Sequence, residues 1–97
     1  MKDSAIQDLL LTASKYFKVD IHTKSRKQEH IEARAIVYSI MRDCLNMTYK
    51  DIGKVFNKNH ATILHAVNEL PYMIKYTKGL GEKRHELLEL WGSAYTA

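Results

Sequence analysis

The segment from residue 48 to residue 70 reads TYKDIGKVFNKNHATILHAVNEL, and it decides the fold that the sequence predicts. Thr48 and Asp51 have the spacing of a capping box, in which a hydroxyl and an acid three residues later satisfy free N–H groups at a helix start. The residues that follow form an apolar face at helical spacing, made of Ile52, Val55 and Phe56. A short helix is therefore predicted directly after Thr48.

A tight polar turn and a second helix follow. Asn57 and Lys58 interrupt the apolar pattern, and Asn59 is a good N-cap because its side-chain oxygen accepts a bond from a free N–H group. The second helix has its own apolar face, made of Ile63, Ala66, Val67 and Leu70. Pro71 removes a helical hydrogen bond, so we expect this helix to end or kink at Leu70. A short helix, a turn and another helix form the layout of a helix-turn-helix.

Two amphipathic helices are predicted before this segment. The first covers residues 4–17 with Ser4 as its N-cap, and the second, longer and central, covers residues 28–45 and ends at Asn46. A polar, basic loop over residues 20–27 joins them. The expected buried faces are Ile6, Leu9, Leu10, Ala13 and Phe17 in the first helix, and Ala33, Ile36, Val37, Ile40, Met41 and Cys44 in the second. The thiol is expected to behave as a small buried hydrophobe.

The C-terminal part predicts a turn or two of helix over residues 72–76 and a last helix over residues 82–91 that packs through Leu87, Leu88 and Trp91. The expected fold is therefore all-α, a compact bundle of about five helices. We expect one domain over residues 1–97, with a core over 4–91 and the helix-turn-helix over 48–70.

The positive charge of the chain is concentrated in its middle. The net charge is +4, and residues 22–78 hold ten Lys or Arg against five Asp or Glu, whereas the remainder holds five against six. A basic surface suits a polyanion, because each phosphate that it neutralises releases condensed counterions. No apolar run approaches the ~18 residues of a membrane span, no signal peptide begins the chain, and one cysteine cannot form an internal disulfide. We expect a cytoplasmic, nucleoid-associated protein.

The second helix of the predicted motif begins with small and polar residues, namely Asn59, His60, Ala61 and Thr62. A helix N-terminus carries the positive end of the helix dipole and free N–H groups, both of which favour phosphate. Helix-turn-helix proteins press this end against base edges. Spacing alone leaves two interpretations open, a DNA-binding motif or a plain helical hairpin inside a bundle.

Residues 48–56, TYKDIGKVF, and 58–66, KNHATILHA, resemble the signature of the C-terminal DNA-binding domain of DnaA, the bacterial replication initiator. The matched positions are Ile52-Gly53, Phe56, His60, Thr62 and Leu64-His65-Ala66. The resemblance extends over residues 6–90. It implies a domain IV-like fold, similar to that of the Trp repressor. It also implies sequence-preferring binding to double-stranded DNA, related to origin recognition, in a bacterial or phage protein.

The resemblance also implies which residues contact the DNA backbone. Arg26 or Lys27 matches a basic loop residue that enters the minor groove. Arg34 matches the arginine near the start of the long helix that contacts phosphate, and Arg42 matches a further basic phosphate contact. Backbone contacts are further implied at Tyr49, Lys50, Thr62 and His65.

Base contacts in the major groove are implied for Lys58, Asn59, His60 and Ala61. The sequence departs from the family pattern here. Asn59 replaces an acid and suits adenine, whereas a carboxylate prefers the cytosine amino group. Ala61 replaces a hydroxyl residue and reaches only a thymine methyl group. The turn at Asn57 is one residue shorter than the usual glycine pair. We therefore expect DNA binding to be kept and the preferred site to differ from the standard DnaA box.

An enzyme is disfavoured by the sequence. The five histidines include no i, i+4 pair of the kind that zinc helices use, and the carboxylates are scattered. No Walker A loop occurs, so we expect no ATPase module. We expect no cofactor and no metal site.

Two binding alternatives stay open. An aromatic tail could dock a partner protein or a second copy, and it consists of Tyr72, Tyr76, Trp91 and Tyr95. We favour the interpretation in which Trp91 and one or two tyrosines complete the core. A stand-alone transcriptional regulator is the other alternative, because one recognition helix serves an origin or an operator equally well. A fragment of a longer initiator also stays open, and the start at Met1 favours a natural short protein.

Overall fold

The computed structural model describes residues 2–96 of the backbone and the side chains of residues 3–92. Within this range the chain forms helices and no strand. The helices are α1 (Lys2–Phe17), α2 (Gln28–Cys44), α3 (Tyr49–Phe56), α4 (His60–Tyr76) and α5 (Leu80–Thr96). The predicted all-α class and the five-helix bundle are confirmed. Among the described residues no helix has both the length and the apolar character of a membrane span.

Helix α2 is the centre of the bundle, because it packs against all four other helices. Its residues 35–41 are buried without interruption, which explains why its apolar stripe is so wide. This run contains two hydroxyl groups, and that of Tyr38 is buried without a hydrogen-bond partner among the described residues. Ser39 donates a 2.7 Å hydrogen bond to the Ile36 carbonyl and accepts a 3.0 Å bond from Arg84 on α5, so its hydroxyl is satisfied.

Helices α1 and α5 pack together, and α1 contacts neither α3 nor α4 in the described residues, whereas α5 also contacts α4. Trp91 is buried, and its indole N–H donates a 3.1 Å bond to the Ala5 carbonyl. Tyr16 donates a 2.6 Å bond to Glu86, and partial burial together with this carboxylate raises the pKa of Tyr16 to about 12. The predicted core role of Trp91 is confirmed.

Two predictions at helix ends are wrong. Ser4 is not an N-cap, because α1 already begins at Lys2. Cys44 is exposed instead of buried. The chain leaves the helix directly after it and turns at Asn46, which has a left-handed φ of 53° as predicted. Met47 follows this turn and is only 3% exposed, so the core at this end of α2 contains Met47 instead of Cys44.

Helix α4 does not end at Leu70, because it continues through Pro71 to Tyr76. A proline inside a helix costs about 3 kcal/mol. Leu70 is buried before it and Met73 packs against the core after it, so tertiary packing outweighs the local preference. The chain then reverses at Gly79, whose φ of +83° suits glycine, and α5 begins at Leu80 rather than at residue 82.

The turn between α3 and α4 is a Schellman motif. Asn57 takes a left-handed φ of 54°, and its N–H points to the Lys54 carbonyl at 3.4 Å. The N–H of Lys58 donates a 2.8 Å bond to the Gly53 carbonyl. The turn also brings the carbonyl oxygen of Lys58 close to α3. A Cβ atom added at Gly53 would lie 2.4 Å from this oxygen. The turn therefore requires glycine at residue 53.

The substitution Gly53→Ala tests this requirement. We expect it to lower the free energy of unfolding by about 1–3 kcal/mol, because the methyl group forces the turn away from α3. The matched control is Gly92→Ala on α5, where an added Cβ meets nothing within 4 Å. There we expect a neutral effect or a gain of up to about 1 kcal/mol. Urea unfolding followed by circular dichroism measures both, and equal stability of the two variants would contradict the account.

Candidate nucleic-acid interface

The start of α4 is exposed. Asn59 is the N-cap, as predicted, and its Oδ1 accepts a 2.8 Å hydrogen bond from the N–H of Ala61. This capping bond involves only the side-chain oxygen of Asn59, and neither Nδ2 hydrogen takes part in it. The side chains of His60, Ala61, Thr62 and His65 are all exposed. The first turn of α4 therefore presents polar side chains to solvent while Ile63 anchors it in the core.

The start of α3 lies on the same part of the molecule. Thr48 accepts a 3.0 Å bond from the N–H of Asp51, so the hydroxyl half of the predicted capping box is confirmed. Tyr49 is half-buried, and the guanidinium of Arg42 lies over its ring at 5.0 Å from the centroid. Arg42 also donates a 3.1 Å bond to the Met47 carbonyl. This arginine is thus held in place between the end of α2 and the start of α3.

A groove of about 410 Å³ lies over the turn between α3 and α4, and we call it the turn groove. It is lined by Lys50, Gly53, Lys54, Asn57, Lys58, Asn59 and His60. Three of these residues are lysines, and no acidic residue lines the groove among the described residues. Converging positive charges with no acidic partner favour an anion.

A second groove of about 290 Å³, the interhelix groove, runs between α2 and α4. It is lined by Ile31, Arg34, Tyr38, Lys58, Thr62, His65, Ala66, Glu69 and Met73. Tyr38 is 2% exposed, and burial raises its pKa although the Arg34 charge opposes the shift. Lys58 lines both grooves, so the two grooves adjoin at this residue.

The loop between α1 and α2 brings further cations to this part of the chain. Ile21 anchors the loop in the core at 1% exposure. The ring of His22 lies against Phe56 of α3 at 5.2 Å between centroids. Arg26 and Lys27 are exposed just before α2 begins. The loop is therefore attached to the helix-turn-helix itself, a contact that no local sequence signal indicates.

The sequence-based site omitted Lys54, which the structure places in the turn groove with Lys50 and Lys58. A signal for it was present in the sequence. Lys50, Lys54 and Lys58 recur every four residues, and this spacing places Lys50 and Lys54 on one face of α3.

The aromatic tail does not form a single cluster. Trp91 is buried, whereas Tyr72 and Tyr76 on α4 are 62% and 77% exposed. Neither Tyr72 nor Tyr76 therefore completes the core, although one or two tyrosines of the tail were expected to do so. Among the described side chains Tyr38 is buried in the core, and Tyr16 and Tyr49 are partly buried against it. Tyr95 lies outside the side chains that the structure describes.

The model of a protein family described as the bacterial dnaA protein helix-turn-helix matches residues 4–70. The chain belongs to this family. The resemblance to the DnaA C-terminal domain that the sequence indicated is thus confirmed, and the helix-turn-helix of this family is a DNA-binding motif. The match includes α3, the turn and the part of α4 that precedes Pro71.

Individual DnaA proteins match as well. The chromosomal replication initiator protein DnaA of Bacteroides thetaiotaomicron is 33% identical over 93 residues, which cover 92% of this chain and 20% of that protein. DnaA of Bacteroides fragilis is 34% identical over 82 residues, covering 80% of this chain and 17% of that protein. The chain thus spans about a fifth of the length of these DnaA relatives. No solved structure matches the chain with statistical significance.

Proposed function

We propose that this chain is a DnaA-type DNA-binding domain that binds double-stranded DNA with a sequence preference, in a role related to recognition of a replication origin. The observation that supports the proposal is the position of Lys58, which lines both grooves directly before the exposed start of α4. A polyanion that covers this surface neutralises several cations at once, and the released counterions favour binding.

In this proposal α4 is the recognition helix. It has 17 residues and is therefore about 25 Å long, and its first turn enters the major groove, which is about 12 Å wide. Helix α3 crosses the DNA backbone, as the first helix of such motifs does. Tyr49 and Lys50 then meet phosphate at the start of α3, and Arg42 contacts phosphate beside them. Thr62 and His65 meet phosphate from the exposed side of α4.

The loop before α2 makes the second contact. Arg26 or Lys27 reaches the neighbouring minor groove, where the negative potential is strongest when the groove is narrow. Both side chains are exposed and carry no ion pair among the described residues. The two contacts together explain why the positive charge is concentrated in the middle of the chain.

The sequence preference resides in residues 58–61. Lys58 donates to a guanine edge at a preferred site, whereas on random duplexes its charge meets phosphate. His60 hydrogen-bonds a base, and Ala61 touches a thymine methyl group. The base contact expected of Asn59 has to be modified, because its Oδ1 already accepts the bond that caps α4. The side chain therefore offers Nδ2 hydrogens and suits a base acceptor such as adenine N7, rather than the two-bond pairing with adenine.

The substitution Lys58→Ala tests the phosphate contribution of the shared surface. We expect weaker binding to all duplexes. We also expect the plot of the logarithm of the binding constant against the logarithm of the salt concentration to be less steep by about one, because one cation fewer displaces counterions from the DNA. Fluorescence anisotropy with a random-sequence duplex over a salt series measures the slope.

The matched control is Lys15→Ala. Lys15 is exposed on α1, which contacts neither α3 nor α4, and the substitution removes the same charge. A slope that changes equally in the two variants would show that net charge alone drives binding, and the proposed surface would be wrong.

The substitution Asn59→Asp tests the sequence preference. Aspartate caps a helix as well as asparagine does, so the fold and the position of α4 stay unchanged. The side chain loses its donors and offers only acceptors, so we expect one base position to shift towards cytosine, with a loss of about 1–3 kcal/mol at the original site. Selection of bound sites from random duplexes measures the preference, first for the unchanged chain and then for the variant.

The control is Asn59→Ser, which keeps a capping oxygen and removes the amide. It should relax the preference at that base position without creating a new one. Identical selected sites for all three proteins would exclude Asn59 as a base contact.

A further inference from the structure

Arg34 makes two hydrogen bonds to the loop that precedes α2. Its Nη1 donates to the Thr23 carbonyl at 2.8 Å, and its Nη2 donates to the Ser25 carbonyl at 2.7 Å. A guanidinium group is planar and presents its donors as a rigid fork, so one side chain fixes two backbone groups in a set geometry. The two carbonyls lie 11 and 9 residues before Arg34 in the chain.

Apart from a 3.4 Å bond from the Ile21 amide to the Ser14 hydroxyl of α1, the other hydrogen bonds of this loop are local. The amides of His22 and Thr23 bond to Asp20, at 3.0 and 2.9 Å. The amides of Ser25 and Lys27 bond to the hydroxyls two residues earlier, at 3.3 and 3.2 Å. Bonds over two or three residues shape turns. They do not attach the loop to the body of the protein.

Three other contacts attach the loop, and all of them lie before residue 23: Ile21 in the core, its amide bond to Ser14, and His22 against Phe56. The segment over residues 23–27, which carries the exposed Lys24, Arg26 and Lys27, is tied to α2 by Arg34. The guanidinium is only partly exposed and is already engaged with two acceptors. The guanidinium of Arg34 therefore has a structural role in the free protein. A cation whose role is to bind phosphate would instead be exposed and without these two bonds.

We propose that Arg34 is a positioning residue that holds the basic loop in the shape in which it meets DNA, in place of the direct phosphate contact that the family resemblance implied. The effect on DNA affinity rests on the function proposed above, whereas the effect on the loop does not. A loop that is ordered before binding loses less conformational entropy when it binds, so preorganisation raises affinity without a new contact.

The decisive variant is Arg34→Lys, because it keeps the charge and removes the fork. The DNA-free measurement is amide hydrogen exchange of residues 25–27, followed by NMR in the whole chain. We expect exchange to be faster by about tenfold at these amides, with the melting temperature and the exchange of α4 nearly unchanged.

Arg84→Lys is the matched control. Arg84 is also partly exposed and also bonds two groups, but its partners are Ser39 and Asp43 on α2 instead of the loop. Its substitution should leave exchange of residues 25–27 unchanged. Unchanged loop exchange in Arg34→Lys would overturn the proposal whether or not the chain binds DNA.

A double-mutant cycle on DNA affinity gives the second measurement. If Arg34 acts through the loop, Arg34→Lys weakens duplex binding about tenfold in the unchanged chain. It has little effect when Arg26→Ala and Lys27→Ala are already present. Its salt slope stays unchanged, because Arg26 and Lys27 still displace the same number of counterions once the loop is bound. Equal effects in the two backgrounds would show that Arg34 contacts DNA directly and would overturn the proposal.

Faster loop exchange in Arg34→Lys, combined with no binding of the unchanged chain to any duplex, would refute the proposed function. It would still leave Arg34 as the residue that holds the loop.

Discussion

The close contact between Gly53 of α3 and the carbonyl of Lys58 is the constraint on which the candidate site depends. An added Cβ would lie 2.4 Å from that oxygen, and the Lys58 N–H bonds the Gly53 carbonyl at 2.8 Å. These two features fix how α4 leaves α3. They also determine where Lys58 lies, and Lys58 joins the turn groove to the interhelix groove. Asn59 follows at once and caps α4.

The charges on this surface carry a cost that a polyanion removes. Lys50 and Lys54 are four residues apart on α3, and like charges at this spacing destabilise a helix by about 0.2–0.5 kcal/mol. No acidic residue lines the turn groove among the described residues to offset them. The stability of the bundle comes from elsewhere, from the buried run of α2 and from Trp91 between α1 and α5. The core thus supports a surface whose lysines form no ion pair among the described residues.

Much of the fold was predictable because its signals are local. Apolar spacing predicted the buried stripe of α2, and side-chain chemistry predicted the caps at Thr48 and Asn59. The errors arose where distant residues decide the outcome. Packing of Leu70 and Met73 carries α4 through Pro71, and the fork of Arg34 joins residues 9 and 11 positions apart. The candidate site residues came from the family resemblance, and Lys54 was missed although its four-residue spacing was visible.

The central claim is that the exposed start of α4, together with the basic loop, is the face that meets DNA. Its most direct test is the map of backbone amide chemical-shift changes during titration of the chain with a short duplex at low salt. The account predicts the largest changes at residues 22–27, 49–50 and 58–65, with small changes throughout α1 and α5. Changes confined to α1 and α5, with residues 58–65 unaffected, would contradict it.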